Sequence, residues 1–291
     1  MVWTTQDQVA EARKRPLSAA GTLYGALKPI METGGADLDN ATLIDRLLQN
    51  GSLTAETAKR HLTLINAFGA VNAGIDTTYE ILLLVRSLPQ TYAYIDGAKL
   101  LVETRRLAEV GFVPERLEKT DQIMDSVRKG FADGAGGLGL AIVHEALGDR
   151  HVTIADTNPA PPDHPYINQV SLAYTLLTFS YTPLIGLKEV GEDVPEGDAL
   201  LTWMGVWKII GSAMGIEEGG LPDTFDEARH LWELIIASPG CGHSDEGVKL
   251  LQALKDHVAA GQKDAETPVD LIGQHGDAAV LELLKPKKAG S

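Results

Sequence analysis

The chain contains one cysteine, Cys241, in 291 residues. An intramolecular disulfide is therefore excluded, as are CxxC metal and redox motifs. Basic residues are also in deficit, with 25 Lys+Arg against 40 Asp+Glu and a formal net charge of −15. Phosphate binding is driven by Lys and Arg, so nucleic acid is not an expected partner. The same deficit disfavours adsorption to an anionic membrane surface. Neither a GxSxG nor a Walker sequence is present, which removes nucleophile-elbow hydrolases and P-loop NTPases. The opening Met1-Val-Trp-Thr-Thr-Gln-Asp7 has no charged-then-apolar signal. No apolar run reads as long enough to span a bilayer, and the expectation is a cytoplasmic protein. Strand patterning is scarce, with convincing alternation confined to His151–Ala155.

The pattern is helical nearly throughout. Periodicity predicts helices over 54–68, Thr77–Arg86 (ending before Pro89), Thr91–Val110 and Glu115–Lys129. A glycine-rich break at Gly134–Gly137 follows, then a helix carrying His144 and a proline-rich loop from Asp149 to Tyr166. Asn168–Val190 reads as a helix bent by Pro183. Asp198–Ile216 carries Trp203 and Trp207 one turn apart. Thr224 opens a helix with Asp226 and Glu227 in its first turn, the end that favours acids. Two further helices are expected near 244–260 and 268–285. The fold class is all-α: a single helical domain, which this length can form while burying about three quarters of its unfolded surface. Within it, residues 1–75 read as an N-terminal helical extension packed on the core, 76–285 as the core, and 286–291 as a frayed tail.

His144 stands out chemically. On a helix, Leu140, Ala141 and Leu147 share its side, so an imidazole projects from a face that should meet the core. A buried imidazole needs a partner. A backbone carbonyl would serve, and so would a bound metal such as haem iron. In the helix after Pro114, Arg116, Thr120, Ile123 and Val127 form one row, with Lys119 beside it. These cations either snorkel to water or face a pocket where they bond a ligand oxygen or anion.

Other motifs are weaker. Gly134-x-Gly136-x-x-Gly139, the alternating His151–Ala155 and then Asp156 match the spacing of a dinucleotide-binding fingerprint. The preceding 125–133 segment is polar and lacks the buried strand that an NAD site requires. His144-Glu145 begins an HExxH whose last position is Gly148, so it fails. Glu227-x-x-His230 has di-iron spacing but needs a second copy. Cys241 and His243 lack two further zinc ligands.

Four blocks, taken in order, resemble the latex clearing protein (rubber oxygenase) family, whose wider relatives include oxygenases of fungal meroterpenoid pathways. They are Leu84–Ala98, Glu115–Thr120, Pro165–Gln169 continuing through Leu176–Ser180, and Trp207–Ile216. The resemblance runs from about Ile81 to Ala260. It implies a globin-like helical core around one haem b, with His144 as the proximal iron ligand. Arg116, Lys119 and Thr120 match the family's distal Arg-x-x-Lys-Thr motif. The resemblance makes Lys119 a candidate distal iron ligand and Glu103 the nearest candidate for a distal base. Leu140, Leu176 and Phe179 would contact the cofactor, with Trp203 and Trp207 completing apolar walls. The implied reaction is oxidative attack by O2 on a small hydrophobic substrate, an alkene or terpenoid. The family's arginine three residues before the proximal histidine is Ala141 here. That departure, with the missing export signal, argues against polymeric rubber as substrate and leaves a haem-binding sensor or carrier as the alternative. The oligomeric state is not encoded in any of these features.

Overall fold

Gln169–Ser180 has apolar or small residues on all sides and is buried along most of its surface, with Thr175 and Phe179 partly exposed on one face. Val170, Leu172, Ala173, Tyr174, Leu176, Leu177 and Thr178 all lie within it. A helix that is apolar all round belongs inside a protein. Burying each of its leucines stabilises the fold by roughly 1.5–3 kcal/mol.

A computed structural model describes residues 1–16, 49, 81–103, 163–213, 215–261 and 270–286. Their elements are α1 (Gln6–Arg13), a π-helix π1 (Leu83–Ser87), α2 (Leu88–Tyr92), α3 (Ile95–Glu103), α4 (Gln169–Ser180), α5 (Thr182–Val190), α6 (Gly197–Ala213), a 3₁₀ turn (Glu218–Gly220), α7 (Phe225–Ile236), α8 (Asp245–Gly261), α9 (Leu271–His275) and α10 (Ala278–Leu283). Helix α4 touches α1, π1, α2, α5, α6, α7 and the 3₁₀ turn, while α8 packs on α2 and α3. The only β pairing among the described residues is an isolated bridge between Tyr94 and Cys241. The expected helices at 54–68 and 115–129, the glycine-rich break, the His144 helix and the His151–Ala155 strand lie outside the described residues.

Local chemistry sets several boundaries. Asn168 caps α4: its side chain accepts from the Ser171 N–H, and the Ser171 side chain accepts from the Asn168 N–H. The bend expected at Pro183 is a break at Tyr181, with Pro183 in the first turn of α5, where its missing N–H costs least. Gly191 ends α5 in the left-handed region at φ 83°, and the Glu192 N–H reaches back to the Leu187 carbonyl. Thr224 caps α7 as its sequence predicts.

Four expectations are corrected. The helix expected to end before Pro89 runs on through it: the chain widens into π1 and resumes as α2 with Pro89 in its first turn. The wider turn relieves the clash between a proline ring and the carbonyl one turn earlier. The helix expected over Thr91–Val110 is broken at Ala93 and Tyr94. There the Ile95 N–H donates to the Gly240 carbonyl and the Gly242 N–H to the Ala93 carbonyl. The helix expected over 268–285 is two short ones with Gly276 between them. Lastly, Gln169–Val190 is long and apolar enough to cross a membrane by length and composition, with a mean hydropathy of 1.3; 83% of that window is buried inside the protein. Its apolarity faces neighbouring helices.

Helix α8 approaches α2 closely at Gly247, where an added Cβ would lie 2.5 Å from the Tyr92 carbonyl oxygen and 2.8 Å from a Leu284 methyl. Alanine is the better helix former by about 1 kcal/mol, but a clash with backbone cannot be relieved by a rotamer change. Gly247→Ala is expected to destabilise by about 1–3 kcal/mol, read from the urea midpoint at unchanged m-value. A midpoint that stays or rises would contradict the close approach.

Candidate functional site

Of the residues singled out from sequence, Leu176 and Phe179 on α4, Trp203 and Trp207 on α6, and Glu103 at the end of α3 lie among the described residues. Leu176 is buried and Phe179 half-buried against the core. Trp203 is fully buried, and its indole N–H donates to the Ser180 carbonyl at 2.8 Å. Its ring lies 6.1 Å from that of Trp207, tilted by 55°. The structure thus brings the four expected wall residues onto two helices that pack together. An added Cβ at Gly211 would meet Leu176 at 2.7 Å, so the glycine lets α6 approach α4. Arg116, Lys119, Thr120, Leu140 and His144 lie outside the described residues, as do Gly134 to Asp156 of the dinucleotide motif.

Several of the remaining metal candidates make other bonds. Glu227 accepts from the Asp223 N–H at 2.8 Å, and His230 lies 3.4 Å from the Thr4 carbonyl. His243 Nδ1 is 3.0 Å from the Leu283 carbonyl. No cluster of three or more potential metal ligands occurs among the described residues. Cys241 packs against the core, its thiol turned toward the Tyr174 hydroxyl. Burial pushes that thiol from 9.0 up to about 12, against the smaller opposing effect of the Tyr174 hydrogen bond. Burial also holds the Tyr174 phenol well above its ordinary range; its hydroxyl donates to the Gln90 carbonyl at 2.7 Å.

Three buried polar groupings were not foreseen. In the first, Arg13 of α1 donates to Asp96 Oδ2 of α3 at 2.7 Å, and His164 Nε2 lies 2.9 Å from the same oxygen. His164 Nδ1 is 2.9 Å from Asp163. Burial works against the Arg13 charge, but the hydrogen bond and negative charge of Asp96 more than offset it and raise its pKa. In the second, Gln169 donates to the Pro16 and Gly215 carbonyls and accepts from the Glu217 N–H. It ties the end of α1 to the turn after α6. In the third, the Arg86 guanidinium, 4% exposed, donates to Glu189 at 2.5 Å and lies 3.4 Å from the His275 carbonyl. Beside it Gln90 donates to Asp277 at 3.4 Å.

On this π1–α2 segment, Arg86 Nε, Ser87 Oγ and Gln90 Oε1 are buried without a hydrogen-bond partner among the described residues. Each such group costs about 1–3 kcal/mol if left dry. Together that is comparable with the stability of a whole domain, roughly 5–15 kcal/mol. Sequence offered one signal here: Arg, Ser and Gln interrupting an apolar helical stretch beside a proline.

The described residues define the chain as an all-α single-domain protein. No family model and no curated protein matches it. Among solved structures it is similar to latex clearing protein LCP in the closed state, with a TM-score of 0.57 at 16% identity, covering 96% of this chain and 80% of that one. At that identity the likeness shows a shared fold.

Cys241 supplies a test of the site geometry. Its thiol gains protons on folding relative to the unfolded chain, so this contribution is fully present below about pH 9 and is lost as pH rises toward 12. Iodoacetamide at pH 8 is expected to alkylate native Cys241 at least ~10³-fold more slowly than the thiol in urea-unfolded chain. Comparable rates would show that the thiol is not held against Tyr174.

Proposed function

We propose that this protein is a haem b-dependent oxygenase acting with O2 on a small hydrophobic substrate. The observation that carries the reading is the likeness of fold to latex clearing protein LCP along 96% of the chain. It is joined by four sequence blocks that resemble that family in order. Latex clearing protein supports an oxygenase-like fold for this chain; the cofactor and the substrate are inferred from the sequence resemblance to that family.

Part of the proposed lining lies among the described residues: Leu176, Trp203 and Trp207 are buried and Phe179 half-buried on two helices that pack together, and apolar side chains of this kind are what a large planar ligand requires. His164, the described histidine set deepest among charged neighbours, does not fit an iron: Arg13 stands 2.8 Å from its Nε2, and a cation there opposes a metal. The imidazole of His144 would hold the iron, its other nitrogen oriented by a hydrogen bond. Haem, when bound, supplies a redox-active centre able to activate dioxygen.

The protein's own residues would do the rest. Donors from Arg116, Lys119 and Thr120 would stabilise negative charge developing on oxygen. Lys119 would serve as a ligand only with its amine neutral. The Glu103 carboxylate, at the end of α3, would act as the base that takes a substrate proton. The apolar walls would admit an alkene and exclude water. Ala141, standing where the family has arginine, favours a second reading as a haem-binding sensor or carrier. Oxygen uptake on reduction in the presence of candidate alkenes separates the two.

Protein purified with haem supplied during expression is expected to show a Soret band and one haem b per chain by pyridine haemochrome. His144→Ala should lose most of that haem while keeping its far-ultraviolet helical signal. No haem even after reconstitution would overturn the cofactor. Full haem content in His144→Ala would overturn the ligand.

A further inference from the structure

The polar face of π1 and α2 has no part in the proposed reaction. Gln90 follows Arg86 by four residues and Ser87 by three, so its side chain neighbours both along the segment. Arg86 is 4% exposed, and Ser87 and Gln90 are fully buried. The unpaired atoms are complementary in kind: Arg86 Nε–H can only donate, Gln90 Oε1 can only accept, and Ser87 Oγ does both.

We propose that this face is an internal hydration site, holding one or two long-lived waters between Arg86 Nε, Ser87 Oγ and Gln90 Oε1. Charge argues against an ion. The guanidinium is already compensated by Glu189, and Asp277 is engaged by Gln90 and by the N–H groups of Ala279 and Val280 at the start of α10. Space argues against a larger ligand on the α5 side. Gly186 stands so close that an added Cβ would lie 3.0 Å from a Leu82 methyl and 3.2 Å from Arg86 Cδ. A neutral molecule that donates and accepts, and is small enough for a dry core, is water. Buried waters of this kind make two to four bonds to otherwise unsatisfied groups. The π turn accommodates Pro89, and the water supplies the hydrogen bonds that Arg86 Nε, Ser87 Oγ and Gln90 Oε1 lack. The site is independent of whether the protein binds haem.

The test combines water–amide exchange spectroscopy with one variant, both on the full chain. Nuclear Overhauser peaks of the sign of a slowly exchanging water are expected at the amide or side-chain protons of residues 86–90. Ser87→Ala removes one water ligand, and its thermal midpoint is expected to fall by about 2 °C or more, although alanine favours helix. Absence of the water peaks, or a Ser87→Ala midpoint that stays or rises, overturns the proposal.

Discussion

Much of the described fold is arranged around one helix that is buried along most of its surface. Helix α4 is enclosed by α1, α2, α5, α6 and α7, so its few polar groups must be met by specific partners. Tyr174 illustrates the constraint. Its ring stacks on Trp232 at 5.0 Å and 7°, lies 5.6 Å from Tyr94, and sends its hydroxyl to the Gln90 carbonyl. One side chain thereby fixes α7, the α2–α3 junction and the segment after π1 relative to the hub. At the N-terminal end, Asn168 accepts from the Tyr94 hydroxyl, and the Gln169 N–H is met by the Arg15 carbonyl. An open end of the central helix is thus closed by a segment more than 150 positions away in sequence.

The polar contacts between remote elements follow from this enclosure. Arg13, Asp96 and His164 tie α1, α3 and the approach to α4 at distances of 2.7–2.9 Å. Arg86 with Glu189 joins π1 to α5. Glu189 is 57% exposed while the Arg86 side chain is buried, so removing Glu189 strands the arginine's charge; such pairs specify an arrangement more than they add stability. Several of these residues, Arg86, Gln90, Tyr94, Asp96, Asn168 and Gln169, lie in the blocks that resemble latex clearing protein. In the described structure those blocks act as scaffold, so the resemblance there speaks to fold.

What the sequence revealed was local. The cap at Thr224 and the apolar character of Asn168–Val190 are written in neighbouring residues, and the structure has them in place; the bend expected at Pro183 is a full break at Tyr181. What it concealed depends on distant partners. Nothing near Ala93 announces that loop 240–242 will take its backbone out of a helix, and nothing near Pro89 announces a π turn in place of a helix end. The burial of Leu176, Trp203 and Trp207, and of Phe179 in part, was legible because they follow helical spacing on apolar helices. The buried polar clusters were not, because Arg13, Asp96 and His164 come together only in three dimensions. The residues expected to handle iron and oxygen stand apart again, since their roles follow from resemblance and not from described contacts.

The most direct measurement is resonance Raman spectroscopy of the ferrous haem-loaded protein. An iron–histidine stretching band is predicted, absent in His144→Gly and restored when imidazole is added to that variant. A wild-type spectrum without that band, or one that His144→Gly leaves unchanged, would contradict the proposed bond between His144 and iron.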